Sequence, residues 1–299
     1  MAKKGNPIHG WFIIDKTPDM TSADVVRAIK RIVQPKKIGH AGTLDPLATG
    51  ILPIALGEAT KTIPYIVDRE KEYTFTVKFG EETTTDDTEG EVAETSDSRP
   101  SEAEILAAME DFKGEIQQIP PKFSAVKVDG RRAYELARAG EAVELKARTA
   151  HIMEFTLKSV AKQGNQASFS VVCGKGTYIR SIARDLGRKL RCFGHVTSIR
   201  RGRVGPFSEK SAISLEKLID LGHSARALEA LHPIMTALDD IPELAITRSE
   251  AKRARNGQAL QLPTSRSGTV RLTHEGELIA LARVENKRAK LLRVFNQTN

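Results

Sequence analysis

The sequence predicts a chain of mixed helices and strands in one large domain, followed by a small β-rich one. Three observations predict it. Lys71–Phe79 alternates apolar and polar residues in the strand period, Ser22–Val33 carries apolar residues at helical spacing behind a capping pattern, and after Pro233 to Pro242 short alternating runs appear between turn residues. At 299 residues the chain can bury a full core, and its length suggests about two domains, placed here at 1–240 and 241–299.

In order, Trp11, Phe12, Ile13 and Ile14 read as a first strand, and Thr21-Ser22-Ala23-Asp24 matches a capping box ahead of a helix over about 22–33. A loop follows over 39–50, with three glycines, a proline, His40 and the single carboxylate Asp45, and it feeds the apolar strand 51–56. Residues 58–67 read as a short helix broken near Pro64. In the strand 71–79, Tyr73, Phe75, Val77 and Phe79 share a face. Residues 83–90 look like a solvated acidic hairpin or loop, turned away from phosphate by its charge. A capped helix is expected over 101–112, a strand over 123–128, and a basic helical segment between Gly130 and Gly140. A strand ending at Cys173 then runs through a glycine turn into a helix with the apolar stripe Ile179, Ile182, Ala183, Leu186 and Leu190; Arg180, Arg184 and Arg188 recur on another face. Residues 199–205 read as a short arginine-dense strand or turn, 215–221 and 225–231 as helices, and 269–272, 278–282 and 290–294 as strands of the C-terminal domain.

The formal charge of +8 is segregated. Residues 81–115 carry thirteen acidic groups against Arg99 and Lys113, whereas 175–210 carry ten basic groups against Asp185 and Glu209, and 248–299 carry eleven against four glutamates. Two basic regions suit a long polyanion, which makes nucleic acid the leading partner class over a merely solvated surface. No apolar run approaches the ~18 residues needed to span a bilayer, and the basic N-terminus lacks a signal-peptide core, so a cytoplasmic protein without membrane partners is expected. Cys173 and Cys192 have no metal or CxxC spacing and read as buried, reduced thiols. The Gly174-Lys175-Gly176 run is not a phosphate loop, because Phe169 stands where the first glycine belongs and Gly176 where Ser or Thr is required.

Taken locally, Asp45-Pro46 is either an ordinary turn or a carboxylate held by a rigid loop, and His40 either a packed histidine or a functional one. The full run Gly39-His40-Ala41-Gly42-Thr43-Leu44-Asp45-Pro46-Leu47-Ala48-Thr49-Gly50 resembles the catalytic motif of the bacterial tRNA pseudouridine-55 synthase (TruB) family. Further matches, in the family's order, are Asp15-Lys16 before Met20-Thr21-Ser22, Leu56-Gly57-Glu58-Ala59-Thr60-Lys61, Lys71-Glu72-Tyr73, Ile119-Pro120-Pro121 with Phe123-Ser124-Ala125-Val126-Lys127, and Gly174-Lys175-Gly176-Thr177-Tyr178-Ile179-Arg180. The resemblance covers about residues 10–210, and the C-terminal segment is similar to a PUA-type RNA-binding module.

The resemblance implies an α+β fold: a mixed, largely antiparallel sheet with flanking helices and a central catalytic cleft, plus the small PUA-like domain. It implies an isomerase that converts the tRNA T-loop uridine 55 to pseudouridine without metal or redox cofactor. Asp45 becomes the essential carboxylate, Arg180 the arginine that pairs with it and lowers its pKa, and Tyr73 the ring stacked on the target base. His40 helps stabilise the position vacated by the flipped base, Tyr178 and Ile199 line the pocket, and Lys16 supports its wall. Arg131 and Arg132 lie in an RNA-contacting insertion over about 122–150, and the C-terminal module grips the acceptor side of the tRNA. A monomer with no obligatory protein partner is expected. A guide-RNA-dependent synthase and a non-catalytic RNA chaperone are the alternatives. Asp19 stands where the family commonly has glycine, and Phe123 where it often has Tyr.

Overall fold

A computed structural model gives the fold and describes residues 5–222 and 225–297; the basic residues 1–4 lie outside them. Strand β1 (Gly10–Lys16) is almost wholly buried, and Thr21 closes the capping box with Asp24 at the start of α1 (Ser22–Val33). Strands β2 (Ile38–His40) and β3 (Thr49–Leu56) flank the glycine-rich loop. A 3-10 turn (Gly57–Thr62) leads into α2 (Ile63–Val67), with Pro64 in the first turn, where its missing N–H has no helical partner to lose. β4 (Lys71–Phe79) has the expected bounds, and β5 (Glu81–Thr83) and β6 (Val92–Thr95) form an antiparallel hairpin. Then come α3 (Glu102–Met109), capped by Ser101, and β7 (Gly114–Gln118).

The strand expected over 123–128 shrinks to β8 (Lys127–Val128), paired with β9 (Arg131–Arg132) ahead of α4 (Ala133–Arg138). Two long antiparallel strands follow, β10 (Arg148–Val160) and β11 (Gln166–Cys173), then α5 (Ile179–Lys189). The arginine-dense run expected to be short lies at the end of the eleven-residue β12 (Gly194–Val204). Short strands β13 (Phe207–Ser208) and β14 (Ile213–Ser214) and helices α6 (Leu215–Leu221) and α7 (Ala225–Glu229) complete this part. The C-terminal elements are β15 (Glu243–Ala245), α8 (Arg248–Arg255), β16 (Leu260–Gln261), β17 (Gly268–His274), β18 (Glu277–Glu285) and β19 (Arg288–Val294).

These elements form two compact units. The first comprises 1–46, 51–67 and 205–299. Within it β1 lies between β14 and β3, with β14 parallel to β1 and β2 antiparallel to β3. Its C-terminal part is a separate five-stranded sheet in the order β15-β17-β18-β19-β16, which closes with α8 over Ile246, Ala254, Leu260, Leu272, Ile279 and Val284. The second unit comprises 47–50 and 68–204, and its sheet runs from the first residues of β3 through β12, β4, β11 and β10 to β7. Only the β3–β12 pairing is parallel there, so the α+β reading holds: a large mixed, mainly antiparallel sheet, helices packed on it, and a β-rich C-terminal module. In the second unit Phe75, Phe155 and Phe169 stack with centroids 5.3 to 6.1 Å apart, each such pair adding ~0.5–1.5 kcal/mol beyond its buried area.

The acidic hairpin corrects its sequence reading. It is solvated only in part: Thr84, Thr88 and Glu89 are exposed, but Glu82, Thr83, Asp86 and Asp87 are buried. The arginines of α5 meet it rung by rung, Arg180 on Asp87 (3.3 Å), Arg184 on Asp86 (3.0 Å) and Arg188 on Glu82 (2.5 Å). A four-residue repeat on a helix presents one row of side chains, and two facing carboxylates plus Glu82 match that row.

Candidate active site

Asp45 stands half-buried in the loop between β2 and β3, and both of its chain neighbours are tied down. The Leu44 N–H donates to Ser22 Oγ (2.9 Å), which in turn donates to the Leu44 carbonyl (3.1 Å). On the other side, the Pro46 carbonyl accepts from Lys16 Nζ (3.0 Å) and from the Asp19 N–H (3.1 Å). Lys16 Nζ also donates to the carbonyls of Thr17 and Met20, both at 2.9 Å, and the residue is 1% exposed. An ammonium carries three donors, and three backbone carbonyls converge on this one, so burial of its charge is compensated by aligned dipoles.

Asp19 has φ 62°, a left-handed conformation that favours glycine but that Asp tolerates better than most residues, so the turn forms with an aspartate in this place. His40 closes β2 opposite Ile54 and is half-buried. The first unit thus brings Lys16, His40 and Asp45 onto neighbouring segments of one hydrogen-bonded framework.

The second unit carries the other residues. Tyr73 is half-buried on β4, in register with Val171 on one side and Arg201 on the other. Two residues along, Phe75 faces Ile199 of β12 and Phe169 of β11, so Ile199 belongs to the same aromatic-backed rung system. Gly50 needs its missing side chain: at φ +98° an added Cβ would lie 2.3 Å from the Arg201 carbonyl, so the glycine lets one protein strand approach another. Tyr178 precedes α5, its N–H donating to Gln118 Oε1 (2.7 Å) and its carbonyl accepting from Gln118 Nε2 (3.0 Å). Arg180, in the first turn of α5, is 5% exposed and donates to the carbonyls of Thr85 and Phe123, each at 2.9 Å, besides pairing with Asp87.

Asp87 is the main functional candidate that sequence reasoning missed. Its Oδ1 accepts from Thr85 Oγ1 (2.5 Å) and the Glu89 N–H (3.0 Å), which leaves Oδ2 aimed at the guanidinium. The signal was present as two oppositely charged blocks of similar size. Burial raises the neighbouring Asp86 carboxyl to about 6, against the opposing pull of Arg184 and Arg180. Burial also holds Lys71 down to about 8 and raises the thiols of Cys173 and Cys192 to about 11, in keeping with inert, reduced cysteines.

Arg131 and Arg132 are exposed on β9; Arg131 pairs with Glu141 (2.9 Å) and Arg132 donates to the Ala125 carbonyl (2.5 Å). In the C-terminal module an open cleft of about 620 Å³ is lined by Arg248, Ser249, Lys252, Arg255 and Asn256, one face of α8. Arg255 there also meets Glu277 at 2.8 Å. Sequence reasoning missed α8 as well, although Thr247 and Glu250 spell its capping box.

A family model described as the N-terminal domain of the TruB family pseudouridylate synthases matches residues 30–179, and one described as the tRNA pseudouridylate synthase B C-terminal domain matches 180–241. The chain is 50% identical to the tRNA pseudouridine synthase B of Bradyrhizobium diazoefficiens, over 97% of this chain and 87% of that protein. It is 48% identical to the protein of the same name from Caulobacter vibrioides, over 99% of each. Among solved structures it is similar to a Cbf5-Nop10-Gar1 complex, with TM-score 0.73 and 27% identity over 96% of this chain and 84% of that one. An H/ACA RNP bound to a substrate RNA gives the same TM-score at 26% identity, over 96% of this chain and 85% of that one.

Proposed function

The chain belongs to the TruB family of pseudouridylate synthases, and on that premise we propose that it isomerises uridine 55 in the T-loop of tRNA to pseudouridine. Such an isomerisation breaks the bond from ribose C1′ to N1, turns the base, and joins C1′ to C5. The C5 proton leaves and N1 gains one, so no atoms are added or lost. The base must be flipped from its stack before a carboxylate can reach the sugar.

Asp45 is the reacting carboxylate, acting at C1′ by attack or by promoting a glycal, or by adding to the base at C6. Arg180 is its cationic partner, and Tyr73 stacks on the base and assists at C5. His40 occupies the position the base vacates, Tyr178 and Ile199 line the pocket, and Lys16 fixes the loop. Arg131 and Arg132 contact the RNA, and the C-terminal module holds the acceptor side through the basic face of α8. The protein works in the cytoplasm as a monomer, with no metal or redox cofactor and no obligatory protein partner.

The observation that carries this reading is the double anchoring of the Asp45 loop, Leu44 to Ser22 and Pro46 to Lys16. A reacting group fixed before substrate arrives needs no reorganisation during the reaction. The test is tritium release from a full-length tRNA labelled at uridine C5, with EDTA and without added RNA or protein. The reading expects release by the wild type and none by Asp45→Ala. Release that needs a guide RNA would favour guide dependence, and undiminished release by Asp45→Ala would overturn the assignment of the carboxylate. Melting of the T-arm retained by Asp45→Ala would show a chaperone role alongside the chemistry.

A further inference from the structure

The Leu56-Gly57-Glu58-Ala59-Thr60-Lys61 run has no part in the chemistry above, yet its polar side chains, Glu58, Thr60 and Lys61, are engaged within the first unit. Gly57, at φ +55°, brings the 3-10 turn against the N-terminal segment, where an added Cβ would meet His9 Nδ1 at 2.2 Å. The Glu58 N–H donates to that same nitrogen (3.1 Å), and Thr60 Oγ1 donates back to the Gly57 carbonyl (2.7 Å). The turn is therefore rigid on its own account.

From this turn two side chains reach the end of the C-terminal module. Lys61 Nζ donates to the Val294 carbonyl (2.7 Å) and lies 5.8 Å from the centroid of the Phe295 ring, which is fully buried. Glu58 Oε2 accepts from the Asn296 N–H (2.8 Å) and from Lys61 Nζ (2.5 Å). The Phe295 N–H donates to the Ile279 carbonyl of β18 (2.9 Å), so the gripped segment is part of the module's own hydrogen-bonded frame. Three successive residues, 294 to 296, are thus held by one ion pair through two backbone groups and one aromatic face.

We propose that Glu58 and Lys61 form a latch that fixes the C-terminal β module, and with it the basic cleft of α8, in the orientation that a long RNA requires. They are positioning residues, acting on substrate through the module. The contacts are to backbone and to one ring, so the latch reads the path of the chain. It rests on the proposed reading only for the identity of the RNA. Opening the latch should leave the Asp45 loop intact and weaken only those substrates long enough to reach α8.

The test compares wild type, Glu58→Ala, Lys61→Met and the conservative Lys61→Arg, with circular dichroism confirming that each is folded. Amide hydrogen exchange at Phe295 and Asn296 reads the latch without any substrate. Loss of a hydrogen bond to a charged group should speed exchange at Asn296 about tenfold or more in Glu58→Ala. Steady-state tritium release is then measured on full-length tRNA and on an isolated T-arm hairpin. The expected result is a KM raised about tenfold for the tRNA alone, with kcat unchanged on both RNAs and the tRNA KM restored in Lys61→Arg. Unchanged exchange in Glu58→Ala would overturn the latch. Faster exchange with the KM of both RNAs raised equally, or of neither, would overturn its role in positioning. If the wild type acts on neither RNA, the functional reading fails, while the exchange data still decide the latch.

Discussion

Replacing Asp87 by Asn removes one charge and almost no volume from a pair whose members are 5% and 3% exposed at the side chain. Asn keeps an oxygen for the Thr85 hydroxyl and the Glu89 N–H, so the change falls on the atom that faces Arg180. There an N–H₂ group replaces Oδ2 and points a donor at a donor. At the observed 3.3 Å, Coulomb's law with an effective dielectric of about 20 gives an attraction of about 5 kcal/mol. Some of that is returned because one carboxylate no longer has to be desolvated, and breaking one side of a buried pair generally costs ~3–5 kcal/mol. Urea unfolding should therefore show Asp87→Asn less stable by about 3 kcal/mol, and Asp87→Asn with Arg180→Met recovering part of the loss because the donor that faces the new amide is removed with it. A coupling energy of about 2 kcal/mol or more is expected from the cycle. Coupling below about 0.5 kcal/mol would refute the claim that Asp87 is the charge partner that holds Arg180 in place. Single-turnover tritium release by Asp87→Asn should fall with Arg180 displaced, and a wild-type rate would separate the ion pair from the chemistry.

Four shorter predictions follow from other contacts. Burial raises the Asp86 carboxyl to about 6, above the ordinary 3.8, so the folded chain holds that proton more tightly than the unfolded one. Its contribution to stability is full below about pH 4 and is lost as pH rises through about 6; Asp86→Asn should flatten urea stability over this window, and an unchanged slope would refute the assignment. Gly50→Ala, with φ +98° and 2.3 Å to the Arg201 carbonyl, should cost about 3 kcal/mol or more in thermal or urea unfolding. Lys16→Met leaves the Thr17 and Met20 carbonyls without that donor and slackens the Asp45 loop; kcat should fall about 100-fold, and a wild-type kcat would show that the loop needs no such anchor. Arg248→Ala with Lys252→Ala should weaken tRNA binding and reduce its salt dependence by about one power of salt per lost phosphate contact, with kcat on bound RNA unchanged.

Much of the fold was legible because local signals agreed with tertiary demands. Thr21 and Asp24 cap α1 where their spacing indicates, and β4 obeys its period-two pattern from Lys71 to Phe79. Elements whose pattern is set by distant neighbours were lost or misread. β10 alternates weakly, with Arg148, His151, Glu154 and Lys158 among its residues, and it is a strand because β7 and β11 pair with its two sides. The stretch around Phe123 has strand composition yet is bent, since its carbonyl is taken by Arg180 rather than by a neighbouring strand. The proposed site residues were picked out by the ordered motifs, whereas the contacts that hold their segments, Ser22 to Leu44 and Asp87 to Arg180, join stretches far apart in sequence and leave no periodic trace.

Charge shows how far a linear count can mislead. Of the ten basic residues over 175–210, six engage carboxylates of residues 68–111: Lys175 with Asp68, Arg180 with Asp87, Arg184 with Asp86, Arg188 with Glu82, Lys189 with Asp111, and Arg203 with Glu70 and Glu72. Arg201 is buried at 1% exposure. A guanidinium already matched to a carboxylate adds little to the field that draws in a polyanion, because the pair presents a dipole in place of a charge. Six of the block's ten cations are therefore matched to carboxylates of this chain, and three of them, Arg180, Arg184 and Arg188, brace the acidic hairpin to α5. The field available to RNA has to come from cations outside those pairs, and the two groups best placed are Arg248 and Lys252 on α8 and the exposed Arg132 on β9. Both lie outside the core catalytic motifs, so substrate length should control affinity more strongly than it controls the rate of the chemical step.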